Sequence, residues 1–190
     1  FFLFSFYNPV NVVLDKFFWW WTVHLWVEGV WELILGSFLA FVLIKTTGVD
    51  REVIEKWLYV IVTLTLITGI IGTGHHYFWI GTPEFWQFWG SLFSALEPLP
   101  LVFCFWHIYL DAHHDRKPLK NAPAFYFILG SVMLEQVGAG ILGFTMTFAL
   151  TNVWSHGTWI TPAHGHLALF GTFGMLGIAA AYYAVPAMRG

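Results

Sequence analysis

Long apolar runs separated by short polar connections make up most of the chain. Five of them, near residues 18–46, 53–74, 84–111, 123–151 and 160–187, match the roughly 20 helical residues needed to cross a hydrocarbon layer of about 30 Å. Backbone in lipid has to satisfy its own hydrogen bonds, so runs of this length predict helices rather than strands. The pattern predicts an all-α integral membrane protein with five transmembrane helices. Because the connections are short, successive helices are expected to alternate in direction.

Composition agrees. Of 190 residues, 58% are hydrophobic, 21% aromatic and only 10% charged, against about 25% charged in soluble proteins. The expected surroundings are a lipid bilayer, and no nucleic-acid partner is expected. The chain opens on Phe1, with no signal-like segment before Lys16, and reads as an excerpt of a longer protein whose residues 1–190 form one partial domain. Cys104 is the single cysteine and falls mid-helix, so it forms no internal disulfide. Alternating helices bring Lys45, Arg51, Lys56, Arg116, Lys117, Lys120 and Arg189 to one end and leave Lys16 at the other. That bias predicts a cytoplasmic location for the basic end.

The same alternation gathers the unusual polar residues. His24 and Glu28 fall near the start of the first helix, His75 and His76 end the second, and His164 and His166 begin the fifth. All six are expected in the outer half of the membrane. His107, His113 and His114 cluster instead at the basic end of the third helix, and His156 lies in the outer loop before the fifth.

Spacing then limits the chemistry. His24 and Glu28 are four residues apart, hence about 40° apart on a helix and about 6 Å along its axis, so both face one way. A bare helix-stabilising contact would explain the pair in water, but an ionisable group in a bilayer costs about 2.5 kcal/mol or more and usually faces a functional interior. Glu32 extends the same stripe. His75 and His76 follow Gly72 and Gly74, which loosen the last turn and let both rings aim at one point. Three imidazoles and a carboxylate suit a metal, and the hard oxygen shifts the expectation toward iron and away from Cu(I). His164 and His166 are about 200° apart and face opposite sides, which suits one axial ligand to each of two haems flanking the helix. Gly165 leaves room for large rings.

Three further features are weaker. Glu97 lies mid-membrane beside Pro98 and Pro100, which should kink the third helix; proton handling is the reading preferred for it. Glu135 is also intramembrane, with no role assigned. Gly138-x-Gly140-x-x-Gly143 fits the dinucleotide pattern but lies inside an apolar helix with no strand before it, so close helix packing is the better explanation. Most of the tryptophans at 19–21, 79, 86 and 89 read as an interfacial belt.

The motifs WWWTVHLWVEGVWE, REVIEKWLY, GTGHHYFWIG, FSALEPLP and HGTWITPAHGH, in this order from about Phe17 to Arg189, resemble the large catalytic subunits of bacterial nitric oxide reductases, within the haem-copper oxidase superfamily. The resemblance implies that His24, Glu28, His75 and His76 bind a non-haem iron, FeB. It implies His164 as ligand of a high-spin haem b and His166 as one ligand of a low-spin haem b whose second ligand lies outside this chain. Glu32 and Glu97 match glutamates implicated near the active site and in proton supply. The implied reaction reduces two nitric oxide molecules to nitrous oxide and water. A c-type cytochrome subunit is the implied electron donor, with quinol as the alternative, and the bacterial inner membrane is the implied location, with the active site in its periplasmic half.

Rival readings are a dioxygen-reducing terminal oxidase, a haem-only membrane electron carrier and a transporter. The oxygen-reducing relatives typically carry a tyrosine where this chain has Glu28. A carrier or transporter has no need of a third and fourth ligand from other helices.

Overall fold

The computed structural model describes residues 1–115 and 119–189. Arg116 and Lys117, two of the charges that orient the chain, lie outside the described residues, as does the side chain of His113. After a short 3-10 turn at Phe2–Phe6 come five helices long and apolar enough to span a membrane: α1 (Val12–Thr47), α2 (Arg51–His76), α3 (Glu84–Asp111), α4 (Ala122–Met146) and, after the short α5 (Ala149–Ser155), α6 (Ile160–Arg189). No strand occurs among the described residues. The chain is a multi-pass, all-α membrane protein.

Two boundaries correct the sequence expectation. α1 begins at Val12 rather than near 18, because the Asn11 side chain accepts the N–H groups of Val13 and Leu14 at 2.9 and 3.2 Å and caps a turn that precedes the apolar run. His24 therefore lies more than three turns into its helix, not within about two turns of its start. The fourth helix ends at Met146 rather than 151, with Phe148 extended (ψ 136°) before α5. Side chains take over the freed carbonyls: Thr147 Oγ1 donates to Phe144 O and Asn152 Nδ2 to Met146 O, each at 2.8 Å.

Cross-links confirm the alternation. At the basic end, the N–H of Lys120 donates to Thr46 O (3.0 Å), Asn121 Nδ2 to Tyr182 O (3.0 Å), and Trp57 Nε1 to His107 Nδ1 (3.1 Å). At the opposite end, Tyr77 OH donates to Phe17 O (3.2 Å) and Trp79 Nε1 to Asn152 Oδ1 (2.7 Å).

The apolar core belongs to the basic half. Leu35, Leu39 and Leu43 of α1, Ile54 of α2, Ile108 of α3, Ile128 of α4 and Leu176 of α6 pack there. The other half of the bundle is left for polar groups. Three of the long helices also contain π-helical turns, at Leu25–Trp31, Glu135–Leu142 and Leu167–Gly171. Such turns often mark functional positions.

Candidate functional site

His24 is 1% exposed, and its ring meets two others from the end of α2, with centroids 4.8 Å from His75 and 5.2 Å from His76. Glu28 completes the group: one oxygen lies 3.3 Å from His24 Nε2 and the other 3.4 Å from His75 Nε2. One ligand atom from each of the four residues lies within 4.8 Å of the others. Metal–nitrogen and metal–oxygen bonds of about 2.0–2.2 Å place opposite ligand atoms about 4 Å apart, so closure of the widest pair by just under about 1 Å fits the group to one ion.

The hydrogen bonding supports that fit. Both ring nitrogens of His24 and Oε2 of Glu28 are buried with no hydrogen-bond partner. The 3.3 Å contact between them lacks hydrogen-bond geometry, so neither His24 Nε2 nor Glu28 Oε2 is satisfied by the other. Leaving such groups unsatisfied costs about 1–3 kcal/mol each, and a cation bound by His24 Nε2 and Glu28 Oε2 removes that cost for those two atoms.

Local sequence explains the arrangement. The last turn of α2 tightens to a 3-10 turn over Thr73–His76, which turns two adjacent histidines toward α1. Gly74 and Gly90 let α3 press against it: a Cβ on Gly74 would lie 1.8 Å from Trp86 O, and one on Gly90 would lie 2.2 Å from the His75 nitrogen. One turn beyond Gly90, Ser94 Oγ shares a short hydrogen bond with His75 Nδ1, orienting the ring so that Nε2 faces Glu28. Trp20 stacks on His76 at 4.3 Å and 5°. Trp20 is thus an exception among the belt tryptophans and faces inward, because it is four residues before His24 on the same helix face. Sequence reasoning missed Gly90 and Ser94, although their i, i+4 spacing of small residues was a usable signal for close packing.

The cluster opens onto a cavity of about 870 Å³ whose walls also include Glu32, Glu97, Glu135 and His164. The volume lies within the usual range for cofactor pockets, about 300–1,000 Å³. His164 Nδ1 donates to Gly138 O at 2.7 Å, which leaves its Nε2 lone pair available to a ligand. Gly143 makes room for that ring, since a Cβ there would lie 2.8 Å from His164 Cε1. Gly138 likewise admits α6, with Leu167 Cβ 2.2 Å from where its own Cβ would be. The glycine pattern is thus a packing device, as expected.

His166 behaves differently from His164. It is exposed, lies outside the cavity wall, and its Nδ1 donates to Pro162 O at 2.7 Å. The two histidines therefore face different surroundings, each with Nε2 free. Among the carboxylates, Glu32 accepts from Thr65 Oγ1 at 3.2 Å and Glu135 from Thr172 Oγ1 at 2.9 Å. Glu97 lies in the turn that breaks α3 before Pro98, and its Oε1 is buried without a hydrogen-bond partner. His156, read from sequence as a loop residue, lines the cavity mouth.

Known proteins resemble this chain. The chain is 55% identical over all 190 residues to a nitric oxide reductase subunit of Stutzerimonas stutzeri, and it spans 40% of that relative's length. A family model described as cytochrome c and quinol oxidase polypeptide I matches residues 1–190. Haem and metal cofactors are what such a family leads one to expect, in keeping with the histidine-rich cavity. Matched from its first residue to its last, the chain belongs to the cytochrome c and quinol oxidase polypeptide I family.

Proposed function

We propose that this chain is the metal-binding core of a nitric oxide reductase, in which two nitric oxide molecules, two electrons and two protons become nitrous oxide and water. The observation that carries the proposal is Glu28 among three histidines, because an anionic oxygen ligand favours iron over Cu(I). The 55% identity to a protein named as part of a nitric oxide reductase supports the same reading. In it, His24, Glu28, His75 and His76 hold the non-haem iron FeB. His164 holds a high-spin haem b on the cavity side, and His166 holds a low-spin haem b on the other.

When bound, the two irons of the cavity supply electrons and Lewis acidity to paired nitric oxide molecules. The chain's own residues do the rest. Ser94 and Trp20 fix the planes of His75 and His76. Glu28 balances the charge of the ion, and the mostly apolar wall limits the water that reaches it. Glu32 and Glu97 face the cavity as carboxyl groups able to carry protons into it.

The basic end, with Lys45, Arg51, Lys56, Lys120 and Arg189, is assigned to the cytoplasm of a bacterial inner membrane and the metal cluster to the periplasmic half. The relative's name makes it one subunit of its enzyme, which supports electron delivery from a partner c-type cytochrome rather than directly from quinol. The test is to purify the full-length protein, measure nitrous oxide formed from nitric oxide, and determine its metals. Nitrous oxide production with iron and no stoichiometric copper is expected. Stoichiometric copper with dioxygen reduction would replace this reading with that of a terminal oxidase.

A further inference from the structure

Glu135 has no part in the metal cluster, yet it lines the same cavity, and its hydrogen bonding differs from that of the other carboxylates. Thr172 Oγ1 lies 2.9 Å from Glu135 Oε2 and 3.3 Å from the carbonyl oxygen of Leu167. A hydroxyl has one proton to donate and lone pairs with which to accept. With Glu135 ionised, Thr172 donates to the carboxylate. With Glu135 protonated, the carboxyl donates to Thr172 Oγ1, and Thr172 turns its proton to Leu167 O. Neither state leaves a buried polar group unpaired.

The switch depends on backbone geometry. Leu167 opens the π-turn that directly follows His166, and the closing N–H of Thr172 also points at Leu167 O. Thr172 is 1% exposed, and its carbonyl is held by Ser131 Oγ at 2.8 Å, so the hydroxyl pivots on a fixed backbone. Glu32 has a single threonine hydroxyl, from Thr65, and no second acceptor for that hydroxyl is found among the described residues. Titratable groups facing the same cavity are Glu28 and Glu32 from α1, His75 and His76 from α2, Glu97 from α3, His164 from α6 and His156 before it.

We infer that Glu135 is a proton-exchanging carboxyl of the cavity, with Thr172 as the hydroxyl that accommodates both of its states. It takes a proton from hydronium in the cavity, leaving water, and returns it to a basic group or oxygen there. The inference rests on the proposed function only in supposing that protons are consumed in this cavity.

The experiment is infrared difference spectroscopy on the full-length, cofactor-loaded protein across a pH titration and on reduction. A protonated-carboxyl band that is missing in Glu135→Gln, shifted in frequency in Thr172→Val and restored in Thr172→Ser is expected. Turnover in Glu135→Gln should fall by about 100-fold, the lower end of acid–base effects. An unchanged set of carboxyl bands in Glu135→Gln overturns the inference, as does a band that Thr172→Val leaves in place. The bands need no nitric oxide turnover, so failure of the proposed reaction and failure of the proton role give separate results.

Discussion

Gly90→Ala tests whether the approach of α3 builds the metal site. Its added Cβ would lie 2.2 Å from the backbone nitrogen of His75 and 2.4 Å from the carbonyl carbon of Gly74, where ordinary contact begins near 3.4 Å. The shortfall is about 1.2 Å, and both atoms met are backbone, so no side-chain rotation relieves it. Overpacking of this kind costs about 1–3 kcal/mol, with the upper end expected here. α3 must withdraw, which carries Ser94 away from His75 Nδ1 and frees that ring to turn. Loss of such a supporting contact weakens metal binding by about 10–100-fold. The assay is retention of non-haem iron by the full-length protein against a competing chelator, with haem content and melting temperature measured alongside. Gly177→Ala is the control, since nothing lies within 4 Å of its added Cβ. Wild-type iron retention and melting temperature in Gly90→Ala would refute the reasoning.

Glu28→Gln keeps the side chain's size but removes its charge, so non-haem iron should fall while haem content holds; unchanged iron rules out the ligand role. A Cβ on Gly165, between His164 and His166, also meets no atom within 4 Å. Gly165→Leu should therefore preserve helical content by circular dichroism yet lower bound haem by absorbance, and undiminished haem would show that the rings do not approach there. Asn152→Ala removes the bonds to Trp79 Nε1 (2.7 Å) and Met146 O (2.8 Å), at about 1–3 kcal/mol. A lowered melting temperature with unchanged iron is expected, and iron loss instead would mean that α5 supports the cluster directly.

How much of this was legible in the sequence depends on where each cause resides. The spans follow from apolar length, which is a local property, and all five were recovered. His24 with Glu28 follows from a four-residue spacing on one helix, and the 3.3 Å contact bears it out. His164 and His166 diverge as a two-residue spacing requires. The role of Gly90 is of another kind, because it exists only against Gly74 and His75, which belong to a different helix. Trp20 is the exception in its belt for a similar reason: its neighbours in sequence are tryptophans suited to an interface, while its neighbour in space is His76. The end of α4 at Met146 was hidden because Thr147 and Asn152 stop the helix with side-chain bonds, without a glycine or proline to mark the place.

The π-turns account for the rest. A reading at 100° per residue assumes that each carbonyl is met by the N–H four residues on. That assumption suffices for His24 and Glu28, which meet as the first wide turn begins. It cannot produce the pairing of Thr172 with the carbonyl of Leu167, five residues back, which exists because α6 widens after His166. Glu135 in turn opens the π-turn of α4 that carries the Gly138 carbonyl to His164. The two widened turns are packed against each other, and together they supply both the carbonyl that orients the cavity-facing histidine and the hydroxyl that serves the carboxyl. Proton exchange at Glu135 and orientation of His164 therefore share one piece of irregular backbone, so a substitution that straightens either turn should disturb both infrared and haem spectra at once.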